Sequence, residues 1–108
     1  MKPYFYNAKL LRVVDGDTID VELDLGFNTF TKQRLRLLGF DTPERGQPGF
    51  ELATTYLKNH LANHEGSLVV NTTKRDSFGR WLAYIYGKNG FDINADMATF
   101  CRDILLVP

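Results

Sequence analysis

The chain has 108 residues, 44% of them hydrophobic and 24% charged, with 13 Lys and Arg balanced against 13 Asp and Glu. That composition excludes disordered, coiled-coil and membrane-spanning classes, suits one domain with its own core, and offers no broad electropositive surface for nonspecific nucleic-acid binding. Cys101 is the single cysteine, which excludes an intrachain disulfide and a thiolate metal cluster.

The N-terminal Met1-Lys2-Pro3-Tyr4-Phe5-Tyr6-Asn7 lacks the apolar run of a secretory signal, so a cytoplasmic location is expected unless a signal has been removed. Its aromatic residues read as a strand packing on a barrel rather than as a base-stacking platform. Leu10 to Val14 reads as a strand, and Asp15-Gly16 as the hairpin turn after it. From Thr18 to Leu25 the pattern alternates, with Ile19, Val21, Leu23 and Leu25 on one face and Asp20, Glu22 and Asp24 on the other. After Gly26-Phe27-Asn28, Phe30 to Leu38 forms a third strand, which completes an antiparallel meander.

The period then changes. Phe50, Ala53, Leu57 and Leu61 make one apolar stripe of a helix from Pro48 to about Leu61, ended by the region of Gly66. Leu68 to Thr73 and Trp81 to Tyr86 return to strand character, joined by the polar loop 74–80, and Gly87 to Gly90 is a turn. Asn94 is the expected N-cap of a last helix that places Met97, Cys101, Ile104 and Leu105 on one face, with Asp96 near its positive end. Ile104-Leu105-Leu106-Val107 is then expected to pack into the core or to meet another subunit. Three strands, a helix, two strands and a helix make a mainly β, five-stranded antiparallel OB-fold barrel, a plan that commonly binds oligonucleotides.

Several polar residues stand out. Asp17 follows a turn glycine at a strand entrance; Asp41-Thr42-Pro43-Glu44 sets two carboxylates three residues apart in a loop with restricted backbone; Arg36 interrupts a leucine-rich strand; Arg80 follows Phe78-Gly79 at another strand entrance. Each alone suits a turn or a solvated strand face. His60 and His64 lie one helical turn apart and could share zinc, but no third ligand is identifiable nearby, so they read as a solvated helix end.

Together the segments Asp15-Gly16-Asp17-Thr18, Leu35-Arg36-Leu37-Leu38-Gly39-Phe40-Asp41-Thr42-Pro43-Glu44 and Asp76-Ser77-Phe78-Gly79-Arg80-Trp81-Leu82-Ala83-Tyr84 resemble the staphylococcal nuclease family, in order and over most of the chain. The resemblance implies a calcium-dependent nuclease that hydrolyses phosphodiester bonds of DNA, RNA or both. Asp17, Asp41 and the backbone carbonyl of Thr42 would be Ca²⁺ ligands, Glu44 would act on the attacking water as base or as positioner, and Arg36 and Arg80 would hold the phosphate. These residue types suit that chemistry: hard oxygen donors for calcium, a carboxylate for a water proton, and planar arginine forks for an anion.

Two features depart from the family pattern. Ser77-Phe78 stand where its founding member has a lysine and a tyrosine, so Phe78 either stacks on a base or plugs the turn. The chain also ends at Pro108, where the family continues into a further helix with substrate-side tyrosines, which implies a looser grip on substrate. The expected partner is a single-stranded or unpaired nucleic acid, the expected assembly a monomer or weak homodimer with no membrane. The alternative is a catalytically inactive OB-fold module that binds nucleic acid or protein.

Overall fold

A computed structural model describes residues 4–64 and 67–105. The strands are β1 (Tyr4–Asp15), β2 (Thr18–Asp24), β3 (Phe30–Leu37), β4 (Ser67–Arg75) and β5 (Trp81–Tyr86); the helices are α1 (Phe50–Ala62) and α2 (Ile93–Phe100). Gly66 and residues 106–108 lie outside the described residues, as do the side chains of Ile104 and Leu105, so the expected helix stop and C-terminal packing do too. Among the described residues no helix is long and apolar enough to cross a membrane.

The five strands close into a barrel in the order β1-β2-β3-β5-β4, with α1 between β3 and β4, which is the OB-fold plan. β1 extends well before Leu10 and so carries Tyr6 into the barrel wall, paired with Val70. The meander is antiparallel throughout, but closure comes from a parallel seam in which Leu35, Arg36 and Leu37 pair with Trp81, Leu82 and Ala83 respectively. Alternating residues fill the interior: Ile19, Val21, Leu35, Leu37, Val70, Ala83 and Ile85 are fully buried. Ala53, Leu57 and Leu61 of α1 are buried too, as the apolar stripe requires, with Ile93 and Met97 of α2.

Asn94 does not cap α2. Asp92 does, its carboxylate accepting from the amide of Ala95 at 3.0 Å, and the helix begins one residue before Asn94. Asn94 is buried instead, 3% exposed. Its Oδ1 accepts from the Ile85 amide at 2.7 Å, and its Nδ2 donates to the carbonyls of Leu38 at 2.8 Å and Ala83 at 3.0 Å. A capping reading is natural for an asparagine before an apolar stripe, yet here the side chain serves the Ile85 N–H and the Leu38 carbonyl where β3 and β5 diverge, and shares the Ala83 carbonyl with the Leu38 N–H at 3.0 Å.

The histidine pair is likewise not a solvated helix end. His60 is flanked by the rings of Tyr56, His64 and Phe91, and Tyr56 stacks on Phe100 at 3.9 Å while donating to Asp96 Oδ2 at 2.7 Å. This aromatic layer fastens α1 to α2. His60 Nε2 lies 3.3 Å from Asp96 Oδ2, an ion-pair distance, but the alignment falls short of a hydrogen bond and leaves that nitrogen without a hydrogen-bond partner among the described residues. Burial pushes the His60 imidazole below its ordinary 6.5, Asp96 opposes this, and His64 adds to it. The Asp96 contact drives the Tyr56 hydroxyl up to about 12. His64 accepts from the Lys88 amide at 2.8 Å, and its ring fills the space that a Cβ on Gly87 would need.

Replacing Asn94 with Ala strands the Ile85 N–H and the Leu38 carbonyl, at about 1–3 kcal/mol for each group left unpaired. Equilibrium urea unfolding should show a loss of about 3 kcal/mol, with Asn94→Asp at least as costly because its carboxylate would face two carbonyl oxygens. The His60 shift sets a pH dependence of defined sign. Because the unfolded imidazole binds a proton more readily, the stability held by neutral His60 is full above pH 6.5. It falls as pH drops through that value toward the lower folded one. The melting temperature should therefore decline from pH 7.5 to pH 5, with a smaller decline in His60→Leu.

Candidate active site

A cleft of about 330 Å³ opens at the end of the β1–β2 hairpin, lined by Asp17, Arg36, Asp41, Thr42, Glu44 and Arg80, with Asp15 and Arg45 beside them. Six positions expected from three separate segments thus converge on one opening. Phe78 is at the tip of the neighbouring β4–β5 hairpin rather than in the cleft wall.

Asp17 is placed by its glycine. Gly16 lacks the positive φ of a primed hairpin turn; a Cβ there would lie 2.8 Å from the Ala53 Cβ and 3.0 Å from the Thr42 Cγ2. The residue is therefore glycine because the turn presses on α1 and the Asp41 loop. The turn is further held by the Asp15 carboxylate, which accepts from the Asp17 amide at 3.1 Å, and by Leu37 N–H, which donates to the Asp17 carbonyl at 2.8 Å. Asp17 consequently stands against the end of β3, beside Arg36.

The Arg36 side chain is only 18% exposed and lies between the two aspartates, its Nη2 3.4 Å from Asp17 Oδ2 and 3.0 Å from Asp41 Oδ1. It also donates to the carbonyls of Leu37 and Phe40, which fixes its direction. Asp17 is mostly covered at 16%, whereas Asp41 stands on the rim, 98% exposed. Thr42 enters through its hydroxyl, which donates to Asp17 Oδ2 at 3.1 Å. Burial raises the Asp17 carboxyl above its ordinary range, Asp15 adds to the rise, and Arg36 only partly offsets it.

Arg80 is oriented by Asp76, a residue the sequence reading leaves aside. Asp76 Oδ1 accepts from the amides of Phe78 and Arg80, both at 2.9 Å, and Oδ2 takes the Arg80 Nε at 2.7 Å. Desolvation is the largest single influence and raises this carboxyl, but the amide donors and the guanidinium together outweigh it and hold it below the usual range. Its signal in the sequence is the aspartate four residues before the arginine, across a turn containing Gly79. Phe78 is 80% exposed, so it does not plug the turn; the Arg80 guanidinium lies over its ring at 5.6 Å. Glu44 is exposed in a short turn closed by Gln47, whose amide side chain accepts from the Glu44 N–H at 2.8 Å; the Glu44 carboxylate has no partner among the described residues.

Among the described residues no three acidic, histidine or cysteine side chains come close enough to hold a metal ion by themselves. The donor set nevertheless has the chemistry for a hard, partly hydrated cation: Asp17 and Asp41 bring carboxylate oxygens to the same opening, flanking the Arg36 guanidinium that pairs with both. Two arginines in the same opening suit an oxyanion bearing several oxygens.

The staphylococcal nuclease homologue family model matches residues 34–99, a span that holds Arg36, Asp41, Thr42, Glu44, Phe78 and Arg80 and begins after Asp17. The chain is 37% identical over 91 residues to the thermonuclease of Staphylococcus hyicus, which covers 78% of this chain and 51% of that one. It is 36% identical over 81 residues to the thermonuclease of Staphylococcus intermedius, covering 69% and 45%, and 31% identical over 91 residues to an uncharacterized endonuclease of Escherichia coli O157:H7, covering 84% and 55%. The chain spans about half the length of the curated relatives it matches.

Proposed function

Because the chain belongs to the staphylococcal nuclease family, we propose that it is a calcium-dependent nuclease that hydrolyses phosphodiester bonds of DNA, RNA or both. The observation that carries this reading is the convergence of Asp17, Asp41, Glu44, Arg36 and Arg80 on one cleft. The thermonuclease and endonuclease names of the relatives agree with it.

Asp17, Asp41 and the backbone carbonyl of Thr42 would hold Ca²⁺, which supplies positive charge against a phosphate oxygen and lowers the pKa of water beside it. Arg36 and Arg80 bind the remaining non-bridging oxygens, and their charge counts most as the phosphorus gains its fifth oxygen. The Asp76 clamp on Arg80 removes rotational freedom from that guanidinium before substrate arrives, so less is lost on binding. Glu44, on a short turn with a carboxylate open to solvent, acts on the attacking water. It either takes the water's proton as the P–O bond forms or holds the water in line while that proton passes to solvent; the opposite P–O bond then breaks and the departing oxygen takes up a proton from solvent. Phe78, exposed beside Arg80, offers a stacking face to a base of a single-stranded or unpaired substrate.

The test is cleavage of single-stranded DNA and RNA with calcium and with excess chelator. Wild type should cut only with calcium. Glu44→Gln should lower kcat by about 10²–10⁴-fold, and Arg80→Ala by about 10²-fold or more. Asp17→Ala should require far more calcium for half-maximal rate. Phe78→Ala should raise KM by about fivefold or more with kcat little changed. Calcium-independent cutting, or wild-type rates in the first three variants, would overturn the mechanism. Strand binding with no cleavage under any of these conditions would identify a binding module instead.

A further inference from the structure

A second opening lies on the barrel itself. It measures about 290 Å³ and is walled by Tyr6, Leu23, Leu25, Gln33, Thr72 and Trp81 among others. Its lining comes from all five strands and from Leu25 just past β2, with nothing from α1 or α2. The strand pattern explains why it exists. Tyr6, Leu23, Gln33, Thr72 and Trp81 keep phase with the inward-facing Ala8, Val21, Leu35, Val70 and Ala83, so they are the last interior residues before the barrel ends. Helical residues cover the interior elsewhere; here the interior meets solvent.

The chemistry of this mouth is mixed in a specific way. Leu23, Leu25, Tyr6 and Trp81 supply apolar and aromatic walls. Gln33 donates from Nε2 to the Thr31 hydroxyl at 2.9 Å, which leaves its carbonyl oxygen and second N–H without partners among the described residues. Outside the lining itself, the Arg75 guanidinium lies 5.7 Å from the Trp81 ring centre and donates to the Gly79 carbonyl at 3.4 Å. A purely aliphatic guest would strand the Gln33 amide, and a compact ion would waste the apolar walls. A planar aromatic ring with a hydrogen-bonding edge, joined to an anion, satisfies all three parts.

We infer that the barrel mouth is a binding subsite for one nucleobase, with Trp81 and Tyr6 as its aromatic walls, Gln33 reading the base edge, and Arg75 meeting the attached phosphate. This deepens the nuclease reading and rests on it for the identity of the strand. Arg80 lines the cleft and the next residue, Trp81, lines the mouth, so the hairpin 75–81 borders both openings. One substrate strand thereby has two stacking sites along that hairpin, Phe78 at the tip and Trp81 at the base, each with an arginine over the ring. The substrate class favoured is a flexible single strand that can turn a base away from its neighbours.

Trp81 is the sole tryptophan of the chain, so emission excited beyond the tyrosine absorption band comes from the mouth residue. The full chain, in excess chelator so that nothing is cut, should be titrated with a single-stranded oligodeoxyadenylate and with an abasic strand of equal length and charge. The base-bearing strand should change Trp81 emission saturably and the abasic strand should not. Gln33→Leu, close in volume, should weaken the fluorescence-detected affinity by about three- to tenfold, and Arg75→Ala should weaken it too. The inference is overturned if both strands change the emission alike, or if neither does while anisotropy of an end-labelled strand shows it bound, or if no strand binds. Cleavage is read separately with calcium: cutting without a Trp81 response sinks only the mouth, and a base-specific response without cutting sinks only the nuclease reading.

Discussion

The barrel closes through a seam of parallel pairing between β3 and β5 that runs only from Leu35 to Leu37. Beyond it the strands must part, because β3 leads into the loop that carries Asp41 and Glu44 while β5 runs on to Tyr86. Separation of that kind exposes buried amides and carbonyls with no ladder partner, which a folded interior does not tolerate. The Asn94 carboxamide answers it by accepting from the Ile85 N–H and donating to the Leu38 carbonyl, and it adds a third bond to the Ala83 carbonyl that the Leu38 N–H already meets. The same three bonds dock α2 and fix the exit of β3 just ahead of the cleft. The positions of Asp41 and Thr42 therefore depend on a residue with no chemistry of its own in the site.

A second constraint acts at the other side of the cleft. Gly16 brings the β1–β2 turn into contact with Ala53 and Thr42, and the bond from Leu37 N–H to the Asp17 carbonyl ties that turn to β3. Asp17 and Arg36 meet for this reason rather than through mutual attraction alone. Their arrangement also explains how a chain of zero net charge can bring two arginines and several carboxylates into one opening: the acidic and basic side chains are segregated along the sequence but interleaved in space. Arg36 stands between two carboxylates at contact distance, and Arg80 is held by Asp76, so each cation is oriented by an acidic neighbour. A local field of this kind acts over a few ångströms and is little screened where its members are covered.

The two hairpins differ in what they contribute. The β1–β2 turn is packed and presents a covered carboxylate. The β4–β5 tip is open, organised by the Asp76 carboxylate rather than by a core, and presents an exposed ring at Phe78. For the proposed nuclease, a packed carboxylate beside an open stacking surface suits a substrate whose reacting group is constant and whose flanking bases vary.

Much of this was legible in the sequence by itself. Period-two and period-3.6 patterns located every strand and both helices, since burial on one face leaves a local record in residue type. Ile19, Val21, Leu23, Ala53, Leu57 and Leu61 are buried where those patterns place them. The order of the three polar segments indicated which residues belong together. What only the tertiary structure decided were relations between segments distant in the chain. That Gly16 is needed for contact with Ala53, that Asn94 bonds across the seam while Asp92 caps the helix, that β3 and β5 pair in parallel, and that His60 lies inside an aromatic layer are all facts about partners. A residue's own type and its near neighbours carry no record of them, because a turn glycine and a packed glycine, or a capping asparagine and a bridging one, are written with the same letter.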